Sequence, residues 1–247
     1  MPVAALSVPE DTGSRPVNRD LLADLRQQVA RLERGGRVTE GAVGFGLPEI
    51  DDVLPGGGLL NDAVHECLGS GAAVWAILLA ARLEGPVLWC LNDTRCEDPY
   101  GPGLAALGLD PSRLTLARCR NPKEMLWVME EGLRSSAPAT VIAEPEADIG
   151  LIESRRLQLA AEAGGTLGLI LPAEGGAGRL VPSAVTSRWQ VDPQPGGGWH
   201  VVLHRCRGAA IAGNEWKVRR DDATGNLALA AEAGDRPVAA AGQLCLV

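Results

Sequence analysis

A chain of 247 residues, 46% hydrophobic but only 3% aromatic, can bury one large α/β core whose apolar weight is carried by Ala, Leu and Val. Its formal net charge of -8 excludes bulk electrostatic attraction as the basis for holding nucleic acid. The six cysteines (Cys67, Cys90, Cys96, Cys119, Cys206 and Cys245) contain no C-x-x-C pair, and the chain reads as one suited to a reducing cytosol rather than a disulfide scaffold.

Residues 1–18 read as a weakly ordered arm. This start has no basic residue ahead of its apolar patch and is broken by prolines, so it does not read as a secretory segment. Asp20 is placed to cap a helix over Leu21–Arg34, stopped by Gly35-Gly36. Leu22, Leu25, Val29 and Leu32 form a narrow apolar seam on it. Such a seam lies either on its own domain or on another chain. A linker to Gly44 closes the second segment, 19–44, ahead of a core expected over 45–235 and a tail over 236–247.

The stretch Gly46–Gly71 organises the core. A short amphipathic turn ends at Pro55, and Gly56-Gly57-Gly58 allows a corner that side chains would obstruct. Ala63–Leu68 has the length of one strand, with His65 and Glu66 in its middle. Gly69-Ser70-Gly71 then opens into an apolar run of helical length, Ala72–Glu84. Strand, glycine turn and helix is the order in which a phosphate-binding loop is built. The pattern G-x-x-x-x-G-K-[ST], begun at Gly69, nevertheless puts Val74 at the second glycine, Trp75 at the lysine and Ala76 at the hydroxyl. Every position that would touch phosphate carries a group that cannot bind it. The run Ala73–Leu83 is too short for a bilayer and contains Arg82, so the chain reads as soluble and intracellular.

Downstream, VLWCLND reads as a strand, and YGPGLAALGLDPSRLTLARC as a short helix, a turn and a strand. Asn121 and Pro122 open a helix to Arg134, with Met125, Leu126, Val128, Met129 and Leu133 on its apolar side. Strands over Ala139–Ala143 and Thr166–Leu171 enclose a helix over Asp148–Ala163. This alternation predicts a mostly parallel sheet covered by helices on both faces. From Ser187, four strand-like segments predict an antiparallel extension at the sheet edge.

Gly44-Phe45-Gly46-Leu47, Ile50-Asp51, Leu54-Pro55-Gly56-Gly57-Gly58-Leu59 and Ala63-Val64-His65-Glu66 together resemble the ImuA family of RecA-like (also called SulA-like) translesion accessory proteins. A second block carries the same resemblance: Ser187–Val191, Trp199–Leu203, Arg205–Gly208 and Asp221–Gly225. It covers roughly Arg19 to Asp235. The resemblance implies a RecA-like core and a role in SOS-induced mutagenic DNA synthesis. It also implies two partners, an ImuB-type polymerase-like protein and an error-prone C-family polymerase, with a recombinase filament or a second copy as further candidates. In a RecA-like ATPase the magnesium carboxylate would fall at Glu144 and the catalytic glutamate near Asp93 or Thr94. With the loop degraded, these carboxylates are expected to cap helix N-termini, and no catalysis, cofactor or metal is expected.

The other constellations are weaker. His200 and His204 lie in a strand, where i and i+4 stand about 13 Å apart. His65 reads as a hydrogen-bonded residue on a half-buried strand, and Asp51-Asp52 as solvated caps. Arg205, Arg207, Lys217, Arg219 and Arg220, with Arg179, Arg188 and interleaved Trp189, Trp199 and Trp216, form the candidate DNA-binding set. The favoured alternative is cations facing solvent and tryptophans facing the core, leaving DNA binding weak or indirect. An active RecA-like ATPase and a SulA-like division inhibitor stand as rival functions.

Overall fold

Where apolar runs are bounded by glycine and proline, the chain forms strands, and where they are longer it forms helices. The computed structural model describes residues 41–94, 98–173, 182–209, 214–221 and 225–230. Every described residue lies within the unit Val38–Val247. The expected helix with Leu22, Leu25, Val29 and Leu32 lies outside the described residues, as do Arg179, Cys96, Cys245 and the tail 236–247.

A small sheet pairs β1 (Ala42–Val43) with β2 (Leu59–Leu60). Between them sits the one-turn helix α1 (Pro48–Asp51). The large sheet is built from β3 (Val64–Leu68), β4 (Val87–Asn92), β5 (Leu114–Cys119), β6 (Thr140–Ala143), β7 (Leu167–Ile170), β8 (Ser187–Pro193), β9 (Trp199–Cys206), β10 (Glu215–Arg220) and β11 (Leu227–Leu229). Their order across the sheet is β11-β10-β9-β8-β3-β7-β6-β4-β5. The fold is therefore α/β with a mostly parallel, mixed sheet. The antiparallel extension expected from Ser187 is present, with one refinement. β8 is not an edge strand but the joint between the two parts: it pairs parallel with β3, Glu66 opposite Arg188, and antiparallel with β9. The antiparallel part begins with the β8–β9 pair, whose register shifts at a bulge at Arg188/Trp189.

The helices are α2 (Ala72–Ala80), α3 (Gly101–Ala106), α4 (Pro122–Arg134) and α5 (Leu151–Gly164). α4 begins as the sequence dictates: Asn121 Oδ1 accepts the Glu124 N–H, with Pro122 at the first position. α2 is shorter than expected and buried nearly all round, because α2 is packed under the leading loop as well as on the sheet. Successive strand residues serve opposite faces. Cys67, Trp89, Leu91, Ile142 and Leu169 pack with α2 and Phe45, whereas Val64, Cys90, Val141 and Ile170 pack with Met125, Met129 and Leu157 of α4 and α5. β3 is central and buried along most of its length, so His65 stands on a fully buried strand rather than a half-buried one.

Candidate functional site at the glycine turn

The connection from β3 to α2 is only Gly69-Ser70-Gly71. Val74, Trp75 and Ala76 thus fall inside α2 rather than in a loop that could wrap a phosphate. β8 closes the turn from above. The Gly71 N–H donates to the Val191 carbonyl at 2.9 Å, and the Ala72 N–H to the Gly69 carbonyl at 3.1 Å. A Cβ on Gly69 would lie 2.4 Å from the Val191 carbonyl oxygen and 2.5 Å from Asp192 Oδ1; one on Gly71 would lie 2.9 Å from Trp199. With Gly69 at φ +88° as well, these glycines serve close packing against β8. The Asp192 carboxylate thus lies against the turn, where its charge opposes an anion.

Trp75 points away from the turn and into the core, where it is fully buried. Its indole stacks on Phe45, ring centroids 4.7 Å apart and planes 22° apart, and both rings touch Trp189 at 5.3 and 6.3 Å. Phe45 is held there by Asp51. That carboxylate accepts the backbone N–H groups of Phe45, Gly46 and Leu47 at 2.7, 2.9 and 3.1 Å. Asp51 is therefore no solvated cap, although Asp52 is exposed. The third glycine of the corner serves this packing too: a Cβ on Gly58 would lie 2.5 Å from the Val43 carbonyl oxygen.

The strand-end carboxylates also differ from expectation. Glu144 Oε1 accepts the Trp89 indole N–H at 2.8 Å. Asp93 and Thr94 are exposed, and Thr94 donates to Asn92 Oδ1 through both its N–H and its hydroxyl at 3.0 Å. Neither Asp93 nor Glu144 heads a helix, since α3 starts at Gly101 and α5 at Leu151. A magnesium nucleotide does not fit these residues: the cation, the hydroxyl and the open backbone are missing, and what remains is negative.

His65 is hydrogen-bonded as expected, within one of two buried polar clusters whose partners lie far apart in the sequence. His65 Nε2 faces the Leu60 carbonyl at 3.0 Å and must carry the ring proton. Nδ1 then accepts the Ser187 hydroxyl at 2.7 Å, and Ser187 Oγ accepts the Trp189 indole N–H at 2.7 Å. This is the geometry of a nucleophile and its base, but both residues are fully buried and burial lowers the His65 pKa to about 4. The pair therefore acts as a polar clamp between β3, β8 and the end of β2. On the opposite face Arg188 Nε donates to Glu66 Oε2 in a buried ion pair, and Arg188 Nη2 donates to Ser183 at 2.9 Å. Burial pushes the Glu66 carboxyl up while the Arg188 guanidinium opposes it. A signal for this pair was present: opposite charges in the middle of two apolar strands.

The candidate DNA-binding residues are not brought together. Lys217 and Arg219 share the exposed face of β10, whereas Trp216 and Val218 face the core. Arg220 lies on the core side and donates to the Gly225 carbonyl at 2.9 Å. Arg205 and Arg207 donate to the carbonyls of Ser183 and Ala184 at 2.7 and 3.4 Å. The strand register puts Arg219 opposite Gly198, seven residues from Arg205, which is roughly 23 Å along the sheet. Trp189 is fully buried and the half-buried Trp216 packs against it, centroids 6.2 Å apart, on the face opposite Lys217 and Arg219. His200 lies 3.4 Å from Glu215, and no group of metal-ligating side chains occurs among the described residues. Cys67, Cys90, Cys119 and Cys206 are free and buried, and burial raises each thiol above its ordinary range.

No family model matches the chain. Among curated proteins it is 36% identical over 222 residues to Protein ImuA of Caulobacter vibrioides (strain NA1000 / CB15N), covering 78% of this chain and 88% of that protein. The same values hold for Protein ImuA of Caulobacter vibrioides (strain ATCC 19089 / CIP 103742 / CB 15). The chain belongs to the ImuA family. The Phe45–Trp75–Trp189 cluster thus joins three parts of the chain: both blocks that carried the resemblance, and the degraded turn between them. No helix among the described residues is long and apolar enough to cross a membrane.

Proposed function

We propose that this chain is a non-catalytic, RecA-like accessory protein of SOS-induced mutagenic translesion synthesis. It acts in the cytoplasm, binding an ImuB-type polymerase-like partner and through it an error-prone C-family polymerase. The observation that carries the non-catalytic part is the three-residue turn roofed by Val191 and Asp192, with Trp75 committed to the core instead of to a phosphate. Family membership supports the pathway. The seam Leu22, Leu25, Val29 and Leu32 is one proposed partner-binding element, with a second copy or a recombinase filament as further occupants. DNA is reached through partners, which accords with a chain of net charge -8 and scattered cations.

Two measurements test the reading. Calorimetry of the full chain with ATP and a non-hydrolysable analogue in magnesium should give no saturable heat, and purified protein should not hydrolyse ATP. Co-purification with the ImuB-type partner should give a stable complex, weakened when Leu25 and Val29 are both changed to Ser. Nucleotide turnover lost on Glu144→Gln would overturn the non-catalytic assignment, and absence of any complex would overturn the scaffold role.

A further inference from the structure

Strand β8 does more at the glycine turn than pair with its neighbours. Every residue from Ser187 to Asp192 engages β3, the turn or the loop packed on α2. Ser187 Oγ bonds His65 Nδ1 at 2.7 Å, and Arg188 holds Glu66 in the buried ion pair. Trp189 packs on Phe45 and Trp75. A Cβ on Gly69 would lie 2.7 Å from Gln190 Nε2, and that amide donates to Asp192 Oδ2 at 2.8 Å. The Val191 carbonyl accepts the Gly71 N–H, and the Asp192 carboxylate lies against Gly69.

These bonds matter for α2. Gly71 is the N-cap of that helix and has no side chain with which to cap it. The first N–H groups of a helix lack partners inside it, and in a strand–glycine–helix unit they are the groups left to face an anion. Here the Gly71 N–H is taken by β8 and the Ala72 N–H by Gly69. The tie also reaches past β8. β9 runs antiparallel to it from Cys206 opposite Ser187 to Trp199 opposite Pro193, and a Cβ on Gly71 would lie 2.9 Å from the Trp199 ring. β10 and β11 follow outward in order.

We infer that β8 is a built-in latch: it closes the glycine turn with the Val191 carbonyl and so fixes the antiparallel extension β9–β11 on the turn without any ligand. A bound anion moves the elements around an open turn only through its differential affinity for two arrangements. The latch removes that lever, so the extension keeps one position whether or not nucleotide is present. This goes beyond the non-catalytic reading, because a chain can lose hydrolysis and still be moved by a nucleotide it binds. It is also independent of which partner the chain engages.

Hydrogen exchange of the full-length chain, resolved by residue, tests the latch. In the parent, the Gly71 amide and those of β9 and β10 should be protected without ligand, and unchanged by magnesium-ATP or inorganic phosphate. Gly69→Ala puts a Cβ 2.4 Å from the Val191 carbonyl oxygen, at a residue whose φ is +88°. Exchange should then rise about tenfold or more at Gly71 and through β8–β10. β4, β5 and β6, beyond β3 and β7 in the sheet, should keep their protection. Ser70→Ala, exposed in the same turn, should change nothing. If Gly69→Ala does not fold, Trp199→Ala, which removes only the ring over Gly71, should give the same pattern at smaller amplitude. A parent Gly71 amide that exchanges freely, protection altered by ATP or phosphate, or a rise spread equally over β4–β6 would each overturn the latch. Complex formation with the ImuB-type partner is a separate readout. A latched chain that forms no complex loses the scaffold role and keeps the latch. A complex-forming chain whose exchange rises everywhere in the variant loses the latch and keeps the scaffold role.

Discussion

The indole of Trp75 lies on the ring of Phe45, 4.7 Å between centroids and 22° from parallel, inside a core that neither residue's local sequence announces. In a phosphate-binding loop the position of Trp75 would present a lysine to solvent and ligand. Here the same position faces the sheet, so the substitution also supplies a structural element that ties the leading loop to α2 and, through Trp189, to β8. Restoring the consensus residues should therefore damage the fold before it restores any chemistry. Trp75→Ala is expected to lose about 3–5 kcal/mol, and Trp75→Lys at least as much because a charge would be buried. Denaturant unfolding with the Phe45→Ala variant as reference checks this. A Trp75→Lys protein as stable as the parent would show that Trp75 is not part of the core.

Asp51 and its neighbour Asp52 should behave differently. Asp51 accepts three backbone N–H groups of the loop that delivers Phe45, whereas Asp52 is exposed. Asp51→Ala is expected to cost about 2 kcal/mol or more, since it strands those donors, and Asp52→Ala no more than about 0.5 kcal/mol. Thermal melts of the two variants decide it, and similar shifts would contradict the assignment.

The Glu66–Arg188 pair should be easier to replace than to halve. Arg188→Ala leaves a buried carboxylate without its counter-charge and is expected to destabilise by about 3–5 kcal/mol. The joint change Glu66→Leu with Arg188→Met should recover most of that loss, because desolvation of both ions is removed together. A double-mutant cycle measures the coupling, and additive losses would argue against it.

His65 gives the fold a pH dependence with a definite sign. Burial holds its pKa near 4, against an ordinary 6.5, so between those values the unfolded chain takes up a proton that the folded chain refuses. Stability therefore falls as pH drops from 6.5 towards 4, by on the order of 3 kcal/mol in total, and no further below that. The raised carboxyl of Glu66 contributes with the opposite sign. Comparing the parent with His65→Gln cancels that contribution, because both proteins retain Glu66. The stability gap between them should narrow from pH 7 to pH 4.5, and a gap independent of pH would remove His65 as the cause.

Much of the architecture was legible because it depends on local pattern. Asn121-Pro122 before an apolar stripe specifies where α4 begins, since capping and the proline ring act within one turn. The Gly56-Gly57-Gly58 corner and the glycine turn after β3 were legible for the same reason. The replaced phosphate-binding residues needed only spacing to be noticed, and the two motif blocks sufficed for the family. The partners of Asp51, His65 and Glu66 were not legible. Two of them are strand residues whose contacts lie some 120 positions away, and nothing local distinguishes a solvated carboxylate from one that gathers three amides.

Residue types and short-range spacing alone determined that this chain builds an α/β sheet with a degraded strand–glycine–helix unit, because helix and strand periods are written into the order of apolar and polar groups. Only tertiary structure decided that β8 inserts beside β3 and covers the glycine turn, that Trp75 faces Phe45 rather than solvent, and that the basic residues of β9 and β10 are dispersed. Strand order and facing depend on which surfaces exclude water together, and that is a property of the assembled core rather than of any one segment.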